Sequence, residues 1–282
     1  MNLQHILTEI EKVDVEVYDK LDSRRNVMKS FANVSGKLAL AAVPLAFGAM
    51  FQKAYGKGNG ITDVLSVLNY ALTLEYLEYN FYIKAVASGI IPAGAPTAAL
   101  TTIRNHEGAH VSFLASAITA SGGTPVSFTA SQFDFTAGGA FPTVFTDYAV
   151  LLAVAQTFED TGVRAYKGQA ANLISNNDVL TAALNIHSVE ARHAAHVRSM
   201  RRANGGLVPS GVTVKPWITG NQSGIGTSAV QASYNGEDTT TQAGINIVNI
   251  NSLPISANAA SEAFDEPLDE TTVRAIVAPF FA

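Results

Sequence analysis

The sequence predicts an all-α fold: a four-helix bundle with one long crossover, followed by an irregular, β-containing C-terminal extension. Three observations carry this reading. Between Ile61 and about Gly205, four long stretches with helically spaced apolar residues are separated by breaks rich in Gly, Pro, Ser and Asn. Two of the three connections are short and one is long. The glutamates and histidines of this region recur at matching places in the first and second pairs of stretches.

The first helix is expected over about 62–88, with Thr62 or Asp63 as cap and Gly89 as stop. The turn-rich link "GIIPAGAPT" leads to a second helix over about 98–121, ended by "SGG". The third begins after Pro142 and runs to about 174, "SNND" links it to the fourth over about 179–203, and "NGG" closes that. Short links make each pair an antiparallel hairpin, and "GGTPVSFTASQFDFTAGGAFP" is long enough to run the length of a bundle between the two hairpins. "VLSVLNYALTL" and "YAVLLAVAQTF" are apolar nearly all round, so the first and third helices should be buried on several sides. Beyond Gly206 the composition turns to Gly, Ser, Thr, Asn and Pro, with strand-like "VTVKPWI" and "GINIVNI" and a terminal helix from the cap Asp269 to about Val277, stopped by Pro279. The chain thus divides into a front segment 1–58, the bundle 59–205 and an extension 206–282 that lacks a core of its own and should pack on the bundle or on a neighbouring subunit.

Composition narrows the function classes. A formal charge of -5, with 18 basic and 23 acidic residues and no dense Lys/Arg block, argues against nucleic acid as a partner. The absence of cysteine excludes disulfides, thiolate metal sites and cysteine nucleophiles. Only 15% of residues are charged, below the roughly 25% usual for globular domains, so much of the surface should be covered, by the chain itself or in a homo-oligomer.

In the front segment, "SRRNVMK" followed by an apolar run resembles a twin-arginine export signal, which predicts a periplasmic or extracellular location; a cytoplasmic one follows if the segment is retained. Acidic residues precede the arginines, and Leu3, Ile6, Leu7, Ile10, Val13, Val17 and Leu21 fall at the spacing of an amphipathic packing helix, so both readings stand. The uncharged run from Leu38 to Gln52 is shorter than the roughly 20 residues of a membrane span, and none is expected.

The chemistry concentrates on the bundle helices. "NHEGAH" carries Glu107 and His110, and "SVEARHAAHV" carries Glu190 and His193; residues three apart lie on one side of a helix and can grip one ion or two adjacent ions. Twelve Glu and six His placed at random give about 0.25 Glu-x-x-His matches, so two are improbable by chance. On the first helix Tyr82 follows Glu75 by seven residues, and on the third Tyr166 follows Glu159 by seven. That spacing, together with 32 residues from Glu75 to Glu107 and 31 from Glu159 to Glu190, selects Glu75 over Glu78 as the counterpart of Glu159.

The two hairpins therefore read as an internal repeat, each giving Glu and then Glu-x-x-His. Glu75, Glu107, His110, Glu159, Glu190 and His193 form the ligand set of a carboxylate-bridged di-iron or di-manganese centre, two Fe or Mn ions per chain, with Glu78 as an extra carboxylate or a flanking hydrogen-bonded residue. Glu75 and Glu190 are expected to bridge least. Tyr82 and Tyr166 are expected to donate hydrogen bonds to the ligands, a redox role being the lesser reading. His106, His187 and His196 should hydrogen-bond or lie at the surface, and Arg164 and Arg192 should neutralise carboxylates such as Asp160 or lie at the surface.

The motifs "LEYLEYNFY", "HEGAH", "FDF", "FEDTGVRAYKGQAA" and "VEARHAAHVR" resemble the ferritin-like domain of desiccation-related proteins and their bacterial relatives over about residues 60–205, and "AFDEPL" resembles the tail of some bacterial members. This resemblance implies a ferritin-like four-helix bundle with a di-metal site. From the ligand set, the expected function is an oxidoreductase that reacts with O2 or H2O2 in stress protection, as a di-iron oxidase or peroxidase or with manganese catalase-like activity. The alternative is a structural, assembly-forming stress-protective protein in which the metals lock the bundle; iron storage would need a closed shell that the long extensions disfavour.

Overall fold

The computed structural model describes residues 61–282, with side chains from Val64 onward; the amphipathic and twin-arginine-like segment lies outside the described residues. The four long helices are α1 (Ile61–Ala87), α2 (Ala95–Ala120), α3 (Tyr148–Ala170) and α4 (Asn177–Asn204). α1 packs along α2 and α3 along α4, as the two short links require. The ends follow local chemistry. Asp147 caps α3 by accepting from the amides of Ala149 and Val150, Asn176 caps α4 by accepting from Val179, and Gly205, in the left-handed region at φ 71°, closes α4 onto the Arg201 carbonyl. Thr62 and Asp63, the expected caps, lie within the helical residues of α1.

The crossover is held by aromatic packing. Phe133 and Phe135, the two ends of "FDF", meet Phe281 and Phe81 respectively, and the backbone of Asp134 donates to the Phe280 carbonyl. Phe158 of α3 meets both Phe81 and Phe280 edge to face, so crossover, bundle and C-terminus share one core.

Every residue of α3 from Leu151 to Tyr166 is buried. Helices cover one side, and the extension covers the other. The stretch "AFDEPL" lies on α3: Lys167 donates to the Asp265 carbonyl, Arg164 Nε to the Glu266 carbonyl at 2.8 Å, and the Leu268 amide to the Arg164 carbonyl at 3.1 Å. Arg164, which the sequence left between a buried and a surface role, is buried and pairs with Glu237 at 2.6 Å. Asp160 is indeed neutralised by an arginine, but by Arg198 of α4, at 2.5 and 2.9 Å, with the Tyr234 hydroxyl donating to the same carboxylate at 2.8 Å. Arg192 is exposed. The terminal helix α6 (Glu270–Val277) starts at the expected cap Asp269 and buries Val273 and Val277; the short α5 (Ala257–Ser261) precedes it.

The strand expectations need correction. "VTVKPWI" forms no strand: Val214 and Ile218 are buried while Trp217 is exposed, so its alternation reflects side chains set into the protein without a partner ladder. "GINIVNI" contributes only β2 (Ile245–Asn246), paired antiparallel with β1 (Thr241–Gln242). Asn249 and Asn251, at φ 53° and 52°, end its extended run before it could offer a subunit a continuous edge. Among the described residues, no helix is long and apolar enough to cross a membrane.

Burial raises the Glu237 carboxyl to about 7 against the opposing pull of Arg164, with Asp265 and Asp160 adding to the rise. The folded chain then holds this proton more tightly than the unfolded chain. The stability it contributes is full below about pH 4.5 and is lost as pH rises through about 7. Glu237→Gln cannot ionise, so its melting temperature should gain on that of the native chain by a few degrees between about pH 5 and pH 8. A difference that stays constant over that range would contradict the assignment.

Candidate metal centre

The six residues singled out by spacing converge in the middle of the bundle. Glu75, Glu107, Glu159 and Glu190 are fully buried, and His110 and His193 nearly so. They form two overlapping groups: Glu75, Glu107, His110 and Glu190 in one, and Glu107, Glu159, Glu190 and His193 in the other, each with its ligand atoms within 4.8 Å of one another. Both imidazoles turn Nδ1 inward. His110 Nδ1 is 3.1 Å from Glu75, 3.0 Å from Glu107 and 3.2 Å from Glu190; His193 Nδ1 is 2.8 Å from Glu107, 3.3 Å from Glu159 and 3.8 Å from Glu190.

Glu107 and Glu190 belong to both groups, and Glu75 and Glu159 to one each. The expectation that Glu75 and Glu190 bridge least fits Glu75, which is in one group, and not Glu190, which is in both. The internal repeat maps Glu75 onto Glu159 and Glu107 onto Glu190, so the two shared carboxylates have to be a repeat-related pair, and they are the glutamates of the two Glu-x-x-His motifs.

The tyrosines hold the two unshared carboxylates. Tyr82 of α1 donates to Glu159 of α3 at 2.5 Å, and Tyr166 of α3 donates to Glu75 of α1. Burial raises both hydroxyls well above their usual range, with the accepting glutamate as the next cause, so both stay protonated donors. Glu78 is buried at the flank, outside both groups. Its carboxylate fills the space beside Gly162, where an added Cβ would come within 3.2 Å of Glu78 Oε1 and 3.6 Å of Glu190 Oε2. Burial, then the Glu190 charge, raise Glu78 well above the carboxylate range.

The electrostatics of Glu107, Glu159 and Glu190 pull apart. Burial raises Glu107 well above its usual range, helped by Glu190 and opposed by His110 and His193. Burial likewise raises Glu159 to about 7 against the pull of His193. For Glu190, burial acts upward but the contacts from His110 and His193 prevail and hold it at about 2. Burial alone would lower the imidazoles. The Glu75 charge, with contacts from Glu107 and Glu190, carries His110 far above its usual range, and the Glu159 charge and Glu107 do the same for His193.

The donor set fits cations. Of nine buried side-chain N and O atoms lacking a hydrogen-bond partner among the described residues, five belong here: Glu107 Oε1, Glu159 Oε2, both oxygens of Glu190, and His193 Nδ1. A single N–H cannot satisfy carboxylates on three sides, and leaving buried carboxylate oxygens unpaired costs several kcal/mol. Carboxylate oxygens with imidazole nitrogen, and no thiolate, suit iron or manganese.

Of the other histidines, His187 Nδ1 bonds the Val163 carbonyl at 3.0 Å and His196 is exposed, as expected of residues outside the ligand set. His106 is exposed yet reaches the centre: its Nδ1 lies 2.9 Å from Nε2 of His193. Spacing alone misses this contact, because His106 is about 100° off Glu107 on its own helix and is brought to His193 only by the packing of α2 beside α4.

Fold and site together define a four-helix protein with a buried carboxylate–histidine centre capable of holding metal. Residues 63–203, half of the chain, match the family model of the ferritin-like domain, and the chain belongs to that family. No curated protein and no solved structure matches the chain.

Proposed function

We propose that this protein is a di-iron or di-manganese carboxylate oxidoreductase that reacts with O2 or hydrogen peroxide in stress protection. The observation that carries it is the pair of overlapping ligand groups with unpartnered oxygens and inward Nδ1 atoms. Two redox-active ions, when bound, supply the electrons and polarise a small oxidant. The chain's own residues set the conditions. Glu107 and Glu190 would contribute to both metal positions, and Glu75 and Glu159, aimed by Tyr166 and Tyr82, to one each. The hydroxyls of those tyrosines keep a proton at each outer carboxylate, and Phe81 and Phe158, both buried, exclude water on the Tyr82 side. A partly open apolar cavity of about 20 Å³, lined by Leu74, Tyr166, Ala71 and Ile186 among others, borders Tyr166 and has room for a water-sized molecule. The paired Arg24 and Arg25 ahead of an apolar run support a location outside the cytoplasm if they act as an export signal, and a retained segment leaves the protein in the cytoplasm.

A structural reading is favoured by one feature: the cross-bundle bonds Tyr82–Glu159 and Tyr166–Glu75 tie α1 to α3 through the same residues that would hold metal. Elemental analysis of the protein from its native source, beside a Glu107→Ala/His110→Ala variant, tests the site. About two Fe or Mn per chain, lost in the variant, is the expected result. Absence of metal from both rejects the di-metal reading, and metal without peroxide consumption or Fe(II) oxidation leaves the structural one.

A further inference from the structure

The two halves of the centre match in their inward ligands but differ behind the imidazoles. His193 Nε2 lies 2.9 Å from His106 Nδ1, with ring planes at 14° and centroids 5.2 Å apart. Face-to-face rings could not bring two nitrogens this close, so the rings meet edge to edge and the bond lies in both ring planes. His110, the repeat counterpart of His193, has no hydrogen bond at Nε2 among the described residues, and its side chain is 11% exposed against 5% for His193. On the tautomer that a metal requires, with the Nδ1 lone pair inward, His193 Nε2–H donates to His106 Nδ1, and His106 keeps its own proton on Nε2.

From this asymmetry we infer that His106 is a positioning residue for His193 and makes the two metal positions unequal: the Glu159–His193 position binds its ion more tightly than the Glu75–His110 position. The inference rests on the proposed di-metal centre. A ligating imidazole whose far nitrogen donates to a fixed acceptor is locked in rotamer and tautomer and is the more basic ligand. Such a partner commonly contributes 10–100-fold to affinity. Among the described residues, the polar partners of His110 are the carboxylates with which it would share the ion. The acceptor for His193 is a neutral imidazole rather than a carboxylate, so it fixes direction without adding negative charge beside a centre already rich in it.

Metal titration tests this directly, with Mn(II) added to chelator-stripped protein against a competing fluorescent chelator, and helicity checked by circular dichroism. The native chain should bind one ion about 10–100-fold more tightly than the second. His110→Ala should keep the tight ion, and adding His106→Ala should weaken it by that same factor. His106→Asp, which supplies another acceptor, should restore much of it. In His193→Ala the remaining weak ion should be indifferent to His106→Ala. Two equal affinities in the native chain, or equal weakening of both ions by His106→Ala, would overturn the inference while leaving the di-metal centre intact. Failure of every form, native included, to bind Mn(II) would instead reject the centre itself.

Discussion

Glu190→Ala should abolish the binding of both metal ions, whereas Glu75→Ala and Glu159→Ala should each lose one. Glu190 is, with Glu107, one of the two carboxylates that both ligand groups share, and neither of its oxygens has a hydrogen-bond partner among the described residues. Removing it takes a charge-neutralising bridge from both positions at once and leaves each imidazole facing one carboxylate fewer. Glu75 and Glu159 sit on opposite sides, each in one group. Without metal the substitution also removes the contacts with His110 and His193 that hold Glu190 ionised, so folding has to be followed beside metal content. Metal content per chain by plasma emission, with helicity as control, reads the result. Glu190→Ala retaining one tightly bound ion, with Glu159→Ala losing both, would reverse the assignment of the shared carboxylates.

That assignment shows where sequence reading stops. The Glu-x-x-His spacing suffices to place Glu107 with His110 and Glu190 with His193, because three residues on a helix is a fixed geometry. The seven-residue Glu-to-Tyr spacing places Glu75 and Tyr82 on one face of α1, yet the pair is about 10 Å apart along the axis and cannot bond. Tyr82 reaches Glu159 and Tyr166 reaches Glu75 because α3 runs opposite to α1, so that positions 75 and 82 lie level with 166 and 159. The spacing finds the four residues; only the packing says who bonds whom. The link from His106 to His193 and the Asp160–Arg198–Tyr234 network are of the same kind. Each joins segments 38 to 87 residues apart, and the extension that supplies Tyr234 has no periodicity to announce which residues turn inward. The continuous burial of α3 was legible as an all-round apolar helix; that the cover is the extension, docked through "AFDEPL", rests on backbone hydrogen bonds that side-chain patterns do not encode.

Gly168→Ala should destabilise the protein by about 3 kcal/mol or more, lowering its melting temperature by roughly 6–12 °C. Local propensity argues the other way: Gly168 lies within α3, where alanine is favoured over glycine by about 1 kcal/mol. The close approach of the extension decides the sign. A Cβ at position 168 would stand 1.8 Å from the Leu268 carbonyl oxygen and 2.8 Å from its carbon, and the obstacle is backbone, which cannot rotate away as a side chain could. To admit the methyl group the segment around Leu268 has to lift off α3. That stretches the Leu268 amide bond to the Arg164 carbonyl and the contacts of Arg164 and Lys167 with the Glu266 and Asp265 carbonyls. Arg164 and Glu237, both buried, then lose part of their enclosure, and Leu268 leaves the core it shares with Phe158 and Phe280. The same variant separates two roles of the extension. If it only covers an apolar helix, Gly168→Ala should lower stability and leave metal content unchanged. Since Glu159 and Tyr166 stand on this helix, a loss of metal along with stability would show that the extension also holds the centre in register. A melting temperature at or above that of the native chain would mean that helix propensity prevails and that the close approach of Leu268 to α3 is wrong.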